Sequence, residues 1–245
     1  DLSLNALDVV ELIKRIFLIA GIDAQLSKPG LIASRLAQQM GGVQGCRVFK
    51  IGGVRMLLEA FGPDTSLSYQ CAMRAIGRGD PANGYLSIDK YKHLSIEFRP
   101  DRAELNPQDV FSYLLKKKVY RTGLEFDWPS CRLQFWLSLD DARAEIACEY
   151  CGHRFNVAPY LPDKNVWRYR RSGLFGRADN QEGAIPVILT IQQLHTIFHS
   201  MKMLYAPAMS LKSNSTVVSK CETDFVVLAQ RPRDGKIDIA IGECK

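Results

Sequence analysis

The sequence predicts a protein of the α+β or α/β class in three parts. These are a mainly helical N-terminal region, a middle module of β-hairpins, and a C-terminal core of one helix followed by three strands. Three observations lead there. Residues 8 to 20, D-V-V-E-L-I-K-R-I-F-L-I-A, carry apolar side chains at helical spacing, and further short apolar stretches punctuated by glycine follow. Around Cys131, Cys148 and Cys151 the chain is rich in aromatic and β-branched residues broken by polar turns. In the last stretch two apolar runs, Phe225 to Leu228 and Ile237 to Ile241, flank a turn holding Pro232, Asp234 and Gly235, which is the pattern of a β-hairpin.

The 245 residues suffice for one large or several smaller domains, and 47% hydrophobic content is ample for a core. The segments expected are a helical domain over 1–105, a helix with β-hairpins over 106–165, and the C-terminal core over 166–245. A net charge of +6 is compatible with a nucleic-acid partner without requiring one. No run of about 18 apolar residues is present, so no membrane span is expected. The opening Asp1-Leu2-Ser3-Leu4 lacks the basic region and apolar core of a signal peptide. Seven cysteines, scattered apart from one C-x-x-C pair, suit a reducing cytoplasm and a metal better than a disulfide framework.

In chain order, Gly21 should stop the first helix, and Pro29-Gly30 leads into a second, Leu31 to Met40, closed by Gly41-Gly42. Cys46 to Ile51 reads as a short strand and Val54 to Phe61 as a helix. Asp64 or Ser66 can cap another helix running through Ile76. Such helices, with Arg47, Lys50, Arg55, Arg74 and Arg78, fit either a helix-turn-helix or a helical packing domain that binds a protein partner or a second copy. Gly77 to Gly84 is a loop, and Tyr85 to Phe98 fits a hairpin or a helix. Asn106-Pro107 then opens a helix to about Tyr120, with Lys116, Lys117 and Lys118 suited to its C-terminal dipole.

Cys148-Glu149-Tyr150-Cys151-Gly152 has the C-x-x-C-G form of a zinc knuckle, where glycine permits a close turn around the metal. Upstream stands Cys131, with Trp128 at the position a paired cysteine would take. The layout resembles a zinc ribbon with one cysteine replaced by tryptophan. Four ligands complete a structural zinc site. Either His153 fills the fourth place, or the fold has kept its shape through Trp128 without zinc.

The segment Trp167 to Arg177 interleaves Arg168, Arg170, Arg171 and Arg177 with aromatics, a pattern for phosphate and base contacts or for a surface strand with aromatics inward. Residues 180–186 enter a long apolar helix from Val187 to about Met203, with Glu182 placed to cap it. His195 and His199 lie four apart on this helix, and without an adjacent glutamate they read as ordinary helix residues. Strands are expected over Tyr205 to Leu211, Thr223 to Ala229 and Ile237 to Lys245.

Residues two apart on a strand share a face, so Glu222 with Asp224 and Glu243 with Lys245 can converge at one sheet margin. Carboxylate oxygens are the hard ligands magnesium takes, and a neighbouring lysine stabilises charge on a nucleophile or phosphoryl oxygen. With Asp224 after an acidic neighbour and Glu243-Cys244-Lys245 closing an apolar strand, the chain resembles the PD-(D/E)xK, or restriction-endonuclease-like, nuclease superfamily. Glu-Thr-Asp stands where that pattern has Pro-Asp. The resemblance implies an αβββ core in which Asp224 and Glu243, helped by Glu222 or Glu182, hold Mg²⁺ or Mn²⁺ while Lys245 assists the nucleophile. It implies phosphodiester hydrolysis, most simply of DNA, in restriction, anti-phage defence or repair. Family members continue past this strand with a further helix and strand, so the chain is expected to be part of a longer protein. The alternative is a nucleic-acid-binding or assembly subunit that keeps the fold without turnover.

Overall fold

A computed structural model describes residues 7–97, 104–127, 130–148, 150–160, 167–176, 183–213 and 221–244. In chain order the helices are α1 (Val9–Ile19), α2 (Lys28–Met40), α3 (Gly52–Ala60), α4 (Tyr69–Arg78), α5 (Pro107–Lys116) and α6 (Ala184–Ile197). The strands are β1 (Ile22–Leu26), β2 (Leu67–Ser68), β3 (Tyr120–Asp127), β4 (Gln134–Ser138) and β5 (Glu145–Ala147). They continue as β6 (Arg154–Asn156), β7 (Arg168–Arg171), β8 (Lys202–Ser213), β9 (Cys221–Gln230) and β10 (Ile237–Gly242). The protein is therefore mixed α+β, with antiparallel sheets.

Two compact units divide the chain, Asp1–Lys50 with Asp179–Lys245, and Ile51–Ala178. These units meet at residues 50/51 and 178/179, whereas the sequence reading divides the chain near 105 and 165. The reason is β1, a strand that its own residues do not announce. It pairs antiparallel with β8, from Ile22 opposite Ser213 to Leu26 opposite Met209, and so binds the N-terminal helices to the C-terminal strands.

The first unit is built on a sheet of order β1-β8-β9-β10. α1 starts where the Asp8 carboxylate accepts from the Glu11 N–H, and it buries Ile13 and Phe17 against Ala24, Ala206, Met209, Leu211, Val226 and Leu228. The Ser27 hydroxyl caps α2, accepting from the Gly30 N–H and donating to Ala208 O. A side chain at Gly30 would collide with that same Ala208 carbonyl, so glycine lets α2 seat directly on β8. The run Cys46 to Ile51, expected as a strand, falls mostly in a 3₁₀ turn over Gly45–Lys50 whose first N–H groups bond three residues back. Cys46, Val48 and Phe49 are buried all the same, so this apolar run marks core without marking a strand. Strand β9 is buried from Phe225 to Ala229, as an inner strand covered on both sides should be. The edge strand β10 leaves Ile237, Ile239 and Ile241 half exposed.

The second unit carries a sheet of order β2-β7-β3-β4 and the separate β5-β6 hairpin. Ser68, rather than Asp64 or Ser66, caps α4, while Asn106 caps α5 ahead of Pro107 as expected, with Asp109 completing a reciprocal capping box. Helix α5 ends at Lys116, and Tyr120 already belongs to β3. Lys116 pairs with Glu97 at 2.8 Å. Residues 85–97 form neither hairpin nor α-helix, but a 3₁₀ turn at Ile88–Tyr91 following the Asp80–Tyr85 bridge. The core centres on Phe111, whose ring meets Tyr69, Tyr120 and Tyr169 with centroids 5.9, 5.9 and 4.9 Å away.

Into this core points Arg171. It is 7% exposed, and its guanidinium donates to Phe175 O (2.7 Å), Leu58 O (2.9 Å) and Phe61 O (3.2 Å). Burial lowers its pKa, with the cation held by carbonyl oxygens in place of water. Replacing Arg171 by leucine leaves three carbonyls without their donor. That should cost about 3 kcal/mol and lower the thermal midpoint by roughly 5–10 °C. Calorimetry checks this, and an unchanged midpoint would show that those carbonyls find other partners.

Candidate metal and catalytic sites

At the end of β9 the paired strands bring an aspartate and a glutamate to the same level. Gly242 stands opposite Phe225 in the ladder, so Glu243 follows opposite Asp224. β10 stops at Gly242, and from there side chains replace ladder bonds. The Asp224 carboxylate accepts from the Cys244 N–H at 2.6 Å. The Thr223 hydroxyl, buried, is shared between Gly242 O (2.9 Å) and Phe225 O (3.2 Å). The Cys244 thiol donates to the Thr190 hydroxyl of α6 at 3.3 Å. Gly242 lies beneath the Phe225 ring, where a Cβ would collide with the aromatic carbons. Any larger residue must move either the ring or the strand that delivers Glu243.

Asp224 is half-buried and Glu243 exposed. Glu222 stands two residues before Asp224 on β9 and is opposite Ser210 of β8. Its carboxylate does not form with the other two a group of three donors within 4.8 Å. Lys245 and Glu182 lie outside the described residues. What is assembled among the described residues is thus an acidic pair, one of its members fixed by a backbone donor. His195 Nδ1 accepts from the Gln44 side-chain amide nitrogen at 2.9 Å, as an ordinary helix residue would.

The second unit holds the cysteines. Cys131 lies in the β3–β4 connection, Cys148 just after β5 and Cys151 just before β6. Their sulfurs all stand within 4.8 Å of one another, and those of Cys131 and Cys148 are 3.9 Å apart. Three sulfurs on zinc bonds of about 2.3 Å in a tetrahedron stand about 3.8 Å apart, so these three can hold a metal ion. The knuckle is shaped by backbone bonds. Tyr150 and Cys151 N–H groups each donate to Cys148 Sγ at 3.3 Å, and Gly152 turns the chain at φ +69°. Cys148 N–H donates to His153 O, but the His153 ring does not join the thiol group, so it does not supply the fourth ligand suggested for it. Trp128 lies outside the described residues. The Ser130 hydroxyl (3.3 Å) and the His153 backbone pull the exposed Cys151 thiol down to about 7. At Cys131 a Leu133 backbone bond acts downward too, but desolvation and the neighbouring thiols outweigh it and leave that pKa raised.

No protein-family model matches this chain, and no curated protein or solved structure matches it. What the sites do is therefore read from their own residues.

The arginines of the 167–177 segment have mostly internal employment. Arg168 pairs with Glu125 at 3.1 Å, and Arg170 lies 4.0 Å from the same carboxylate and 5.2 Å from the centroid of the Trp136 ring. Arg171 is buried, which removes it from the expected phosphate contacts, and Arg177 lies outside the described residues. The strand is an inner one of its sheet; Tyr169 packs inward, as the other expectation had it, while Arg168 and Arg170 are half-buried and not fully solvated. Ser130, Thr223, Thr190 and Gly242 are not singled out by the sequence pattern. Alternation alone could have found Thr223, which between two acidic residues must face the opposite way from both.

Two measurements follow from this geometry. The Cys244 amide should exchange slowly with solvent, and Asp224→Ala should speed that exchange by about tenfold or more, read by NMR. In metal-free protein Cys151 should be alkylated before the other cysteines. Its rate should reach half its maximum near pH 7, because thiolate is the reacting form and lies increasingly in place above that pH. One equivalent of zinc should protect Cys131, Cys148 and Cys151 together, and selective protection of Cys151 alone would reject a shared ion.

Proposed function

We propose that this chain is a metal-dependent nuclease that hydrolyses phosphodiester bonds, most simply in DNA, with Asp224, Glu243 and Lys245 as its working groups. The observation that carries the reading is the Asp224–Cys244 hydrogen bond at the end of the β9–β10 ladder, which sets the aspartate level with Glu243 and Cys244. The order α6, β8, β9, β10 supports a restriction-endonuclease-like core. Two carboxylates are what Mg²⁺ or Mn²⁺ takes from protein when water and substrate phosphate supply the remainder. Such an ion, when bound, supplies Lewis acidity and an activated water.

The chain's own contribution is placement. Asp224 gives one oxygen to the Cys244 amide, which holds the carboxylate still, and keeps the other for a cation. Glu243 projects into solvent, where a substrate can approach. Lys245, two residues on, is assigned from the sequence pattern as the cation that stabilises charge on the attacking water or the pentacoordinate phosphorus. In the second unit the three thiolates suit zinc by softness, in a bracing role that ties the β5–β6 hairpin to the β3–β4 turn.

Supercoiled plasmid incubated with Mg²⁺ or Mn²⁺ tests the reading. The native chain should nick it, EDTA should stop the reaction, and Asp224→Ala, Glu243→Ala and Lys245→Ala should each lose at least about 100-fold in rate. Equal nicking by all four proteins would reject the catalytic assignment. Retarded plasmid with no cleavage by the native chain would turn the reading to a binding or assembly subunit.

A further inference from the structure

Beside the acidic pair, the first unit has a polar hollow of about 550 Å³. Its chemistry-bearing lining is Asp23, Gln25, Lys28, Ser210, Lys212 and Glu222. The sheet register explains why these meet. Gln25 lies opposite Ser210 and Ser210 opposite Glu222, forming one cross-strand row, while Asp23 lies opposite Lys212 in the row two residues along. Glu222 stands two residues before Asp224, so the hollow lies one step along β9 from the acidic pair.

The cations of this hollow are uncommitted. Lys28 and Lys212 make no ion pair or hydrogen bond among the described residues, whereas Lys92, Lys116 and Lys236 each sit within 4.0 Å of a carboxylate. Both uncommitted lysines are exposed. Two open ammonium groups, the Ser210 hydroxyl and the Gln25 amide, one N–H of which donates to Asp23 at 3.4 Å, are the donors that a phosphate with its sugar would meet, against the Asp23 and Glu222 carboxylates of the same lining.

We propose that this hollow seats a phosphodiester next to the one that is cut, with Lys28 and Lys212 as its two cationic contacts and Gln25 and Ser210 as hydrogen-bonding groups. The inference rests on the nuclease reading for its substrate class, although binding can be measured without turnover. The ligand approaches along the β8–β9 surface, and the scissile phosphate then lies toward Asp224 and Glu243.

The test uses the full chain carrying Asp224→Ala, with EDTA present, and a short fluorescein-labelled DNA duplex followed by anisotropy over a range of salt. Adding Lys28→Ala and Lys212→Ala should weaken binding about tenfold and reduce the salt slope by about two, near 0.9 for each phosphate that is no longer neutralised. The control pair Lys14→Ala and Lys90→Ala should change neither. Circular dichroism on every variant confirms that the fold is retained, and Lys28→Arg with Lys212→Arg should restore the slope. An unchanged affinity and slope in the alanine pair would overturn the hollow as a phosphate seat, even if the native chain cuts plasmid. A reduced slope with no cleavage by the native chain would keep the hollow and remove the hydrolase.

Discussion

One hydrogen bond, from the Cys244 amide to the Asp224 carboxylate, determines how the end of the β9–β10 hairpin is arranged. A ladder that ended without it would leave residues 243 and 244 to fray, because an edge strand has a partner on one side only. The carboxylate takes over where the backbone acceptors run out. Since its acceptor is charged, the bond is of the stronger kind, worth about 1.5–3 kcal/mol in place of about 1. Thr223 at Gly242 O and Thr190 at the Cys244 thiol reinforce the same short segment from two other elements. A carboxylate held by its neighbour's backbone loses little freedom when a cation arrives, which is what placement of a ligand requires.

The second unit uses charge differently. Arg171 is carried inside by a strand whose alternation of half-buried and buried positions leaves it no other direction. A desolvated guanidinium is costly unless its donors are met; three carbonyls meet Nε and Nη1, while Nη2 is buried without a hydrogen-bond partner among the described residues. On the opposite face Arg168 and Arg170 converge on Glu125, which also accepts from the Ser66 hydroxyl. The arginine density of this segment is thus largely absorbed in holding the sheet together, whereas the lysines at the polar hollow of the first unit keep their charge open to solvent.

Much of the fold was legible because local chemistry and tertiary structure agree. Asp8, Asn106 and Gly41 mark helix ends with side chains or backbone angles that no distant contact needs to enforce. The C-terminal hairpin was legible for the same reason, its Asp-Gly turn and apolar runs being self-sufficient. β1 was not, because Ile22-Asp23-Ala24-Gln25-Leu26 is too short to assert a period and becomes a strand only through β8, far along the chain. The run from Cys46 misled in the other direction, since β-branched and aromatic residues report burial as readily as strand. At the sites, the acidic pair and the thiols followed from spacing. Thr190 and Ser130 did not, as a hydroxyl carries no positional signature until its partner is known.

The two candidate sites are chemically incompatible with exchanging their ions. Cys131, Cys148 and Cys151 are soft donors whose thiolates favour zinc, while Asp224 and Glu243 are hard donors that favour magnesium or manganese. A three-thiolate group has little affinity for magnesium, which dehydrates reluctantly and takes oxygen. A pair of partly exposed carboxylates has no means of outcompeting thiolates for zinc at cellular abundance. On the proposed reading, the division by ligand type would let one chain keep a bracing ion in place while a second ion comes and goes with substrate. It also explains why cysteine can stand beside Glu243 without disturbing that carboxylate site, because the Cys244 thiol is turned to Thr190 and takes no part in the acidic pair.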